Sequence, residues 1–267
     1  MVLPPIPLAI AAVLPDGAWS DIGVAALCLA GGLAAGIINT LAGGGSLLTL
    51  PILIFAGLPA NVANGTNRVP LLFQNIFSVT RFRRGKVLPA RAALLLAIPA
   101  VLGAAAGAIA AAQLEGETFK HVLAGVLLLV LVPVFVRPEK RLAAAETGSA
   151  RVGPVSLALF LGVGFYGGFV QAGVGFLILG VTVLACGYDL VRANAIKVLV
   201  ILVYTIAVLP LFAIHGLVDL GAAAAMTVGQ AAGGWIGAHL AIRRGVPLIR
   251  GVLVVMSVLA AAKLLFF

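Results

Sequence analysis

Charge is scarce in this sequence of 267 residues: 9% are charged, and only eight side chains are acidic. A soluble domain has about a quarter of its residues charged. With 63% hydrophobic residues and a mean hydropathy of +1.22, no soluble core of this length could hide the apolar surface. Aromatic residues are also few, at 7%, and the apolar runs do not alternate with polar positions. A transmembrane barrel would show alternating segments of about ten residues, so the chain is expected to be an all-α polytopic membrane protein.

The acids are Asp16, Asp21, Glu115, Glu117, Glu139, Glu146, Asp189 and Asp219, and none lies deep in an apolar run. A cation transporter or a carboxylate proton relay ordinarily needs one there. Sodium held by carbonyl oxygens alone remains open. Cys28 and Cys186 both sit in apolar segments and fit neither a metal cluster nor a redox pair. Of the three histidines only His239 lies within an apolar run, and nothing forms a metal set or a Ser/His/Asp arrangement. The expectation is therefore no catalytic residue, no metal and no cofactor. Gly43-Gly44-Gly45-Ser46 lacks the lysine and the preceding strand of a phosphate loop. The formal charge of +9 comes from basic residues between apolar runs, where they orient helices in a bilayer, so no nucleic-acid partner is implied. Residues 1–21 have no basic start for a cleaved signal and read as a lead-in, with Trp19 near the headgroups.

What is present is ten apolar segments: 22–41, 46–58, 64–80, 89–111 and 119–136, then 154–171, 176–186, 194–214, 220–242 and 247–267. Segments 46–58 and 176–186 are too short for a perpendicular crossing of roughly 20 residues, and their shortness is paired between the halves. They are full passes or re-entrant hairpins; both choices satisfy the charges. Basic clusters at Arg81, Arg83, Arg84, Lys86 and Arg91, at Arg137, Lys140, Arg141 and Arg151, and at Arg243, Arg244 and Arg250 belong in the cytoplasm. The loops holding Glu115 and Glu117, and His215 and Asp219, then lie outside, as do both termini.

The halves repeat. Gly32, Ala42, Gly43, Gly45, Gly57, Ala63 and Asn64 recur 130 residues later as Gly162, Ala172, Gly173, Gly175, Gly187, Ala193 and Asn194. An odd number of passes per half turns the second unit upside down, and the charge bias reverses with it, as inverted-topology repeats require. The chain divides into a lead-in (1–21), a first membrane repeat (22–137), a cytoplasmic linker (138–153) and a second repeat (154–267).

Duplicated interruptions locate the candidate site. Asn39 and Thr40 adjoin Gly43, Gly44, Gly45 and Ser46 in one copy; Gln171 adjoins Gly173 and Gly175 in the other. Glycines expose amides that side chains would cover, and helix N-termini hold anions, although the same glycines would serve a simple reversal. Ser46 is placed to cap the second segment. Asn64, Asn67 and Arg68 open one long helix and Asn194 and Lys197 the other, with Asn67 matching Lys197 and Gln74 matching Tyr204. Arg68 and Lys197 either snorkel to the interfaces or point inward, and inward cations favour an anion. Glycines 103 and 107, and 229, 233 and 237, have the spacing of helix-packing stripes, so segment 220–242 reads as scaffold.

The chain resembles the TauE/SafE family of sulfite-exporter-like permeases. The resemblance is carried by Gly31-Gly32-Leu33-Ala34-Ala35-Gly36, Gly43-Gly44-Gly45-Ser46-Leu47-Leu48, Pro51, Ala63-Asn64-Gly65-Thr66-Asn67 and Arg81-Phe82-Arg83-Arg84-Gly85, with a weaker second copy at Gly167-Gly168-Phe169, Gly173-Val174-Gly175 and Ala193-Asn194-Ala195-Ile196-Lys197. It implies a bacterial inner-membrane, multi-pass permease of two similar halves for small sulfur-containing anions, sulfite or an organosulfonate. As a secondary transporter, the chain is expected to work by alternating access, its two inverted halves rocking to expose the anion to each side in turn. Proton coupling and a homodimer are left open by the resemblance. The competing readings are a transporter of another small solute and a non-transporting assembly scaffold.

Overall fold

Leu-, Ala- and Val-rich runs punctuated by glycine give a wholly α-helical chain in the computed structural model, which describes residues 22–131 and 150–266. The helices are α1 (Ile22–Leu41), α2 (Ser46–Phe55), α3 (Ala60–Thr66), α4 (Arg68–Arg84), α5 (Ala90–Ala112), α6 (Gly116–Leu131), α7 (Pro154–Phe169), α8 (Val174–Leu184), α9 (Leu190–Ile214) and α10 (Leu220–Phe266). Gly245, at φ 64°, bends α10 into two arms. The lead-in with Trp19, and linker positions 138–149, lie outside the described residues.

Among the described residues two helices, α5 and α9, are long and apolar enough to cross a bilayer, and stretches 26–41, 46–55, 154–169 and 174–184 are shorter apolar helices. The outer faces carry large bare hydrophobics: Phe55 is 90% exposed, Leu102 64% and Ile98 62%. In water such a surface would aggregate; against lipid it is the ordinary exterior.

The backbone repeats as the sequence does. Left-handed residues recur in pairs: Gly43 with Gly173, Gly57 with Gly187, and Lys86 with Gly216. Helices α3 and α4, together Ala60 to Arg84, match α9, Leu190 to Ile214. Only Asn67, a single turn residue still at φ −59°, separates α3 from α4.

Two expected helix starts move. Segments read as opening at Asn64 and Asn194 begin about a turn earlier, at Ala60 and Leu190. Asp189 is the reason in the second half: its side chain accepts from the amides of Val191 and Arg192, both at 3.0 Å, the usual N-cap arrangement. Asn64 and Asn194 therefore lie inside helices, with their side chains free for other partners. Ser46 does not cap α2 either; Gly45 occupies the N-cap position without a side-chain bond. The Ser46 hydroxyl instead accepts from Asn67 Nδ2 at 3.2 Å.

Each short helix folds back along its predecessor. A Cβ on Gly45 would meet the Ala35 carbonyl and Asn39, and one on Gly31 would meet Ile52, so α2 runs antiparallel beside α1. Likewise Tyr166 of α7 donates its hydroxyl to the Ala172 carbonyl in the turn before α8.

The closest helix seams both cross between the halves. On α5, Gly103 and Gly107 lie against the carbonyls of Leu161 and Phe165 in α7, while Gly164 and Gly168 of α7 lie against those of Ala100 and Ala104. On α10, Gly229 and Gly233 abut Leu29 and Leu33 of α1, and Gly32 and Gly36 answer against Met226 and Gln230. Without a side chain at these positions backbones approach closely, which is what helix association needs where lipid supplies no hydrophobic drive. The first-half hairpin is thus fastened to a second-half helix, and the second-half hairpin to a first-half helix.

Candidate functional site

The carbonyls at a helix C-terminus have no intrahelical partner and carry the negative end of the helix dipole. Deep in an apolar protein those of α1 and α7 must be satisfied by something. Side chains from the opposite half supply the partners.

At the end of α1, Lys197 Nζ donates to the carbonyls of Asn39 and Thr40 at 2.8 and 2.9 Å. Asn194 Nδ2 takes the next carbonyl, Leu41, at 3.0 Å. The Asn194 oxygen in turn accepts from Lys197 at 2.6 Å. At the end of α7 the pattern is the same: Arg68 donates to the carbonyls of Gly167 and Gly168, at 3.2 and 2.5 Å, and Asn64 Nδ2 takes that of Phe169 at 2.9 Å. Two successive carbonyls go to a cation and the third to an asparagine, in both copies. Arg68 and Lys197 are fully buried, so neither snorkels.

The copies differ in the turn. Between the last capped carbonyl and the left-handed glycine the second half has two additional residues, Val170 and Gln171. Gln171 is itself left-handed at φ 65°, and its side-chain oxygen accepts from Arg68 at 3.4 Å and from Tyr204 at 3.0 Å. The Arg68 guanidinium also lies 4.2 Å from the centroid of the Phe212 ring, a distance at which a desolvated cation is attracted to the ring face.

The turns converge. A Cβ on Gly43 would overlap the Gly175 backbone, and one on Gly175 would overlap Gly43. Gly44 faces the Phe176 ring, and Gly173 is the left-handed N-cap of α8. Among the described residues the amides of Gly44, Gly45, Gly173 and Gly175 have no hydrogen-bond partner. Ser46 and Asn67 tie the first turn to the α3–α4 break. All fourteen candidates, Asn39, Thr40, Gly43, Gly44, Gly45, Ser46, Asn64, Asn67, Arg68, Gln171, Gly173, Gly175, Asn194 and Lys197, are buried. Asn39 and Gln171 have different side-chain partners, Gln74 for the first and Arg68 and Tyr204 for the second; each belongs to its own capped helix end.

Gln230 and Ser78 are participants that the sequence pattern does not single out. Gln230 of α10 donates to the Gln74 oxygen at 3.1 Å, which also accepts from Asn39 at 3.1 Å. Gln74 then donates to Thr40 at 3.2 Å, and Thr40 pairs with Ser78 at 3.1 Å. The helix expected to be pure scaffold thus contributes a side chain to the polar centre, and its Gly237 lies directly against Thr40. The signal was a glutamine between Gly229 and Gly233, masked by the packing stripe around it.

Electrostatically the centre is unbalanced. Both cations are held by neutral oxygens, and no acid partners either among the described residues, whose ion pairs are Lys120–Glu117 and Arg192–Asp189. Arg68 Nε and the side-chain oxygens of Asn64 and Asn67 are buried without a protein partner. Groups of His, Cys, Asp and Glu able to hold a metal are absent among the described residues.

Residues 28–264 match the family described as Sulfite exporter TauE/SafE. The chain belongs to the TauE/SafE family. Among curated proteins it is 31% identical to "Probable membrane transporter protein YfcA" of Escherichia coli strain K12 over 235 residues, covering 87% of this chain and 86% of that protein. It is 29% identical to "Probable membrane transporter protein ORF9" of Sinorhizobium sp, covering 86% and 88%. A "Probable membrane transporter protein" of Haemophilus influenzae is 27% identical, covering 92% and 97%. No solved structure matches. TauE/SafE proteins are membrane transporters and not enzymes, and the buried arrangement around Gly43 and Gly175 is the TauE/SafE chain's polar centre.

Proposed function

We propose that this chain is a secondary transporter of a small sulfur-containing anion, sulfite in the first instance, in a bacterial inner membrane. The observation that carries this is the pair of buried cations, Arg68 and Lys197, brought from opposite halves to the glycine turns with no acid to neutralise them among the described residues. Buried charge without a counter-charge is unfavourable, and a travelling anion supplies the missing sign. Free amides at the turns and helix N-termini suit an oxyanion. The oxygens of Asn64 and Asn67 and the Nε donor of Arg68, all buried without a protein partner, suit a ligand that both accepts and donates, as bisulfite does. Proton coupling then resides in the substrate, since bisulfite and sulfite interconvert near neutral pH.

Topologically, α1–α2 and α7–α8 are re-entrant hairpins entering from opposite faces and meeting at Gly43 and Gly175. The repeats, 22–137 and 154–267, are inverted and joined by the cytoplasmic linker. Reciprocal capping supports this, because the matched pair Asn64 and Asn194, each with a nearby cation, serves the last three carbonyls of the other copy's hairpin helix. The interlocked glycine seams further argue against rocking of one half on the other, which would shear both. Alternating access moves α1 with the first arm of α10, and α7 with α5.

Purified protein in liposomes loaded with sulfite tests the reading. Efflux competed by sulfoacetate or thiosulfate is expected. Robust cation flux with none of these anions carried would overturn it.

A further inference from the structure

A groove of about 860 Å³ runs between α4 and the first arm of α10 on the outside of the bundle, away from the polar centre. Phe73, Ile76 and Phe77 form one side and Val228, Ala232 and Ile236 the other. The two hydroxyls along it, Thr80 and Thr227, donate to the carbonyls of Ile76 and Ala223 in their own helices, so the lining is apolar. The helices run in the same direction here, since Gly234 sits against Gln74 and Ser78 while Gly85 sits against Ile242.

Both therefore end at one basic rim. Arg84 and Trp235 close the groove there, with the Arg84 guanidinium 5.5 Å from the Trp235 ring centroid. Arg81 is turned inward, donating to His239 Nδ1 at 3.2 Å. Arg83, Arg84, Lys86, Arg243 and Arg244 crowd the rim exposed, and none is in an ion pair among the described residues. From Phe73 to Arg84 a helix rises about 16 Å, close to the half-thickness, about 15 Å, of a bilayer's hydrocarbon core.

We infer that this groove is a binding site for an anionic phospholipid, its acyl chain against Phe73, Phe77 and Val228 and its phosphate at Arg84 and the neighbouring arginines. Basic pockets at one membrane face select anionic headgroups, and the Trp235 ring beside the Arg84 guanidinium is of the amphipathic kind enriched at the headgroup boundary. A second copy of this chain would suit the apolar wall but would bring an identical cluster of like charges, uncompensated, to the same rim. The lipid matches both ends at once.

The test is native mass spectrometry of the full-length protein released from detergent after titration with phosphatidylglycerol or phosphatidylethanolamine. Phosphatidylglycerol is expected to be retained preferentially. Arg84→Gln should weaken its retention about five-fold, the value of one basic residue at a membrane surface, without changing the phosphatidylethanolamine signal. Ala232→Phe, which fills the groove from a lipid-facing position, should reduce retention of both while thermal unfolding stays unchanged. Equal retention of the two lipids, or undiminished phosphatidylglycerol binding in both variants, would overturn the inference. So would a stable dimer that Ala232→Phe converts to monomer, which would assign the groove to a second copy.

Discussion

Gly43 and Gly175 meet backbone to backbone, and a single methyl group on either would overlap the other. The contact holds the two hairpin turns together at the polar centre. Gly175→Ala is therefore expected to abolish sulfite flux in liposomes. Gly180→Ala, five residues along the same helix with nothing within 4 Å of its Cβ, should keep flux and gain up to about 1 kcal/mol of helix stability. Equal flux in the two variants would separate the turn contact from function.

Lys197→Met keeps most of the side-chain bulk and removes the charge that caps Asn39 and Thr40. Flux should fall by an order of magnitude or more while the protein remains monodisperse and folded. Unchanged flux would reduce Lys197 to a structural cap.

Asn64 and Asn194 perform the same task on Phe169 and Leu41, so both alanine variants should be destabilised, Asn194→Ala the more because its oxygen also accepts from Lys197. Interhelical side-chain hydrogen bonds in membrane proteins are worth about 0.6 kcal/mol on average and up to about 1.7, and each variant should fall within that range in thermal or denaturant unfolding. No loss of stability in Asn64→Ala would mean that the second hairpin does not depend on its cap.

The proposed inversion puts the Lys86 and Gly216 turns, which share a left-handed backbone, on opposite faces. In a background with the buried Cys28 and Cys186 replaced by alanine, a cysteine at 86 should react with an impermeant thiol reagent only from the cytoplasmic side. One at 216 should react only from outside. Labelling of both from one side would rule out the inversion.

Much of this was legible because a hydrophobic chain makes its exceptions conspicuous. Glycine spacing exposed the duplication, and polar residues in apolar runs exposed Asn64, Arg68, Asn194 and Lys197. Helix starts were misjudged because Asn64 and Asn194 look like caps, whereas Asp189 holds that position one turn earlier. Ser46 was assigned to its own helix because local patterns cannot show that Asn67 competes for it. Gln230 was hidden for the same reason: its role depends on Gln74, brought to it only by tertiary packing. Which carbonyls Lys197 and Arg68 would reach was beyond any local pattern, since those partners lie a whole repeat away.

Crossed fastening of the hairpins has a consequence for biogenesis. Chains emerge N-terminus first, and domains generally fold as units during synthesis. Here the last carbonyls of α1 wait for Asn194 and Lys197, and the glycine face of α1 waits for residues 226 to 237. The first hairpin must therefore remain unsatisfied in the translocation machinery until most of the chain has been made. A ribosome stalled after the first repeat should release a product that insertion-coupled proteolysis removes, and two separately expressed halves should survive only when made together.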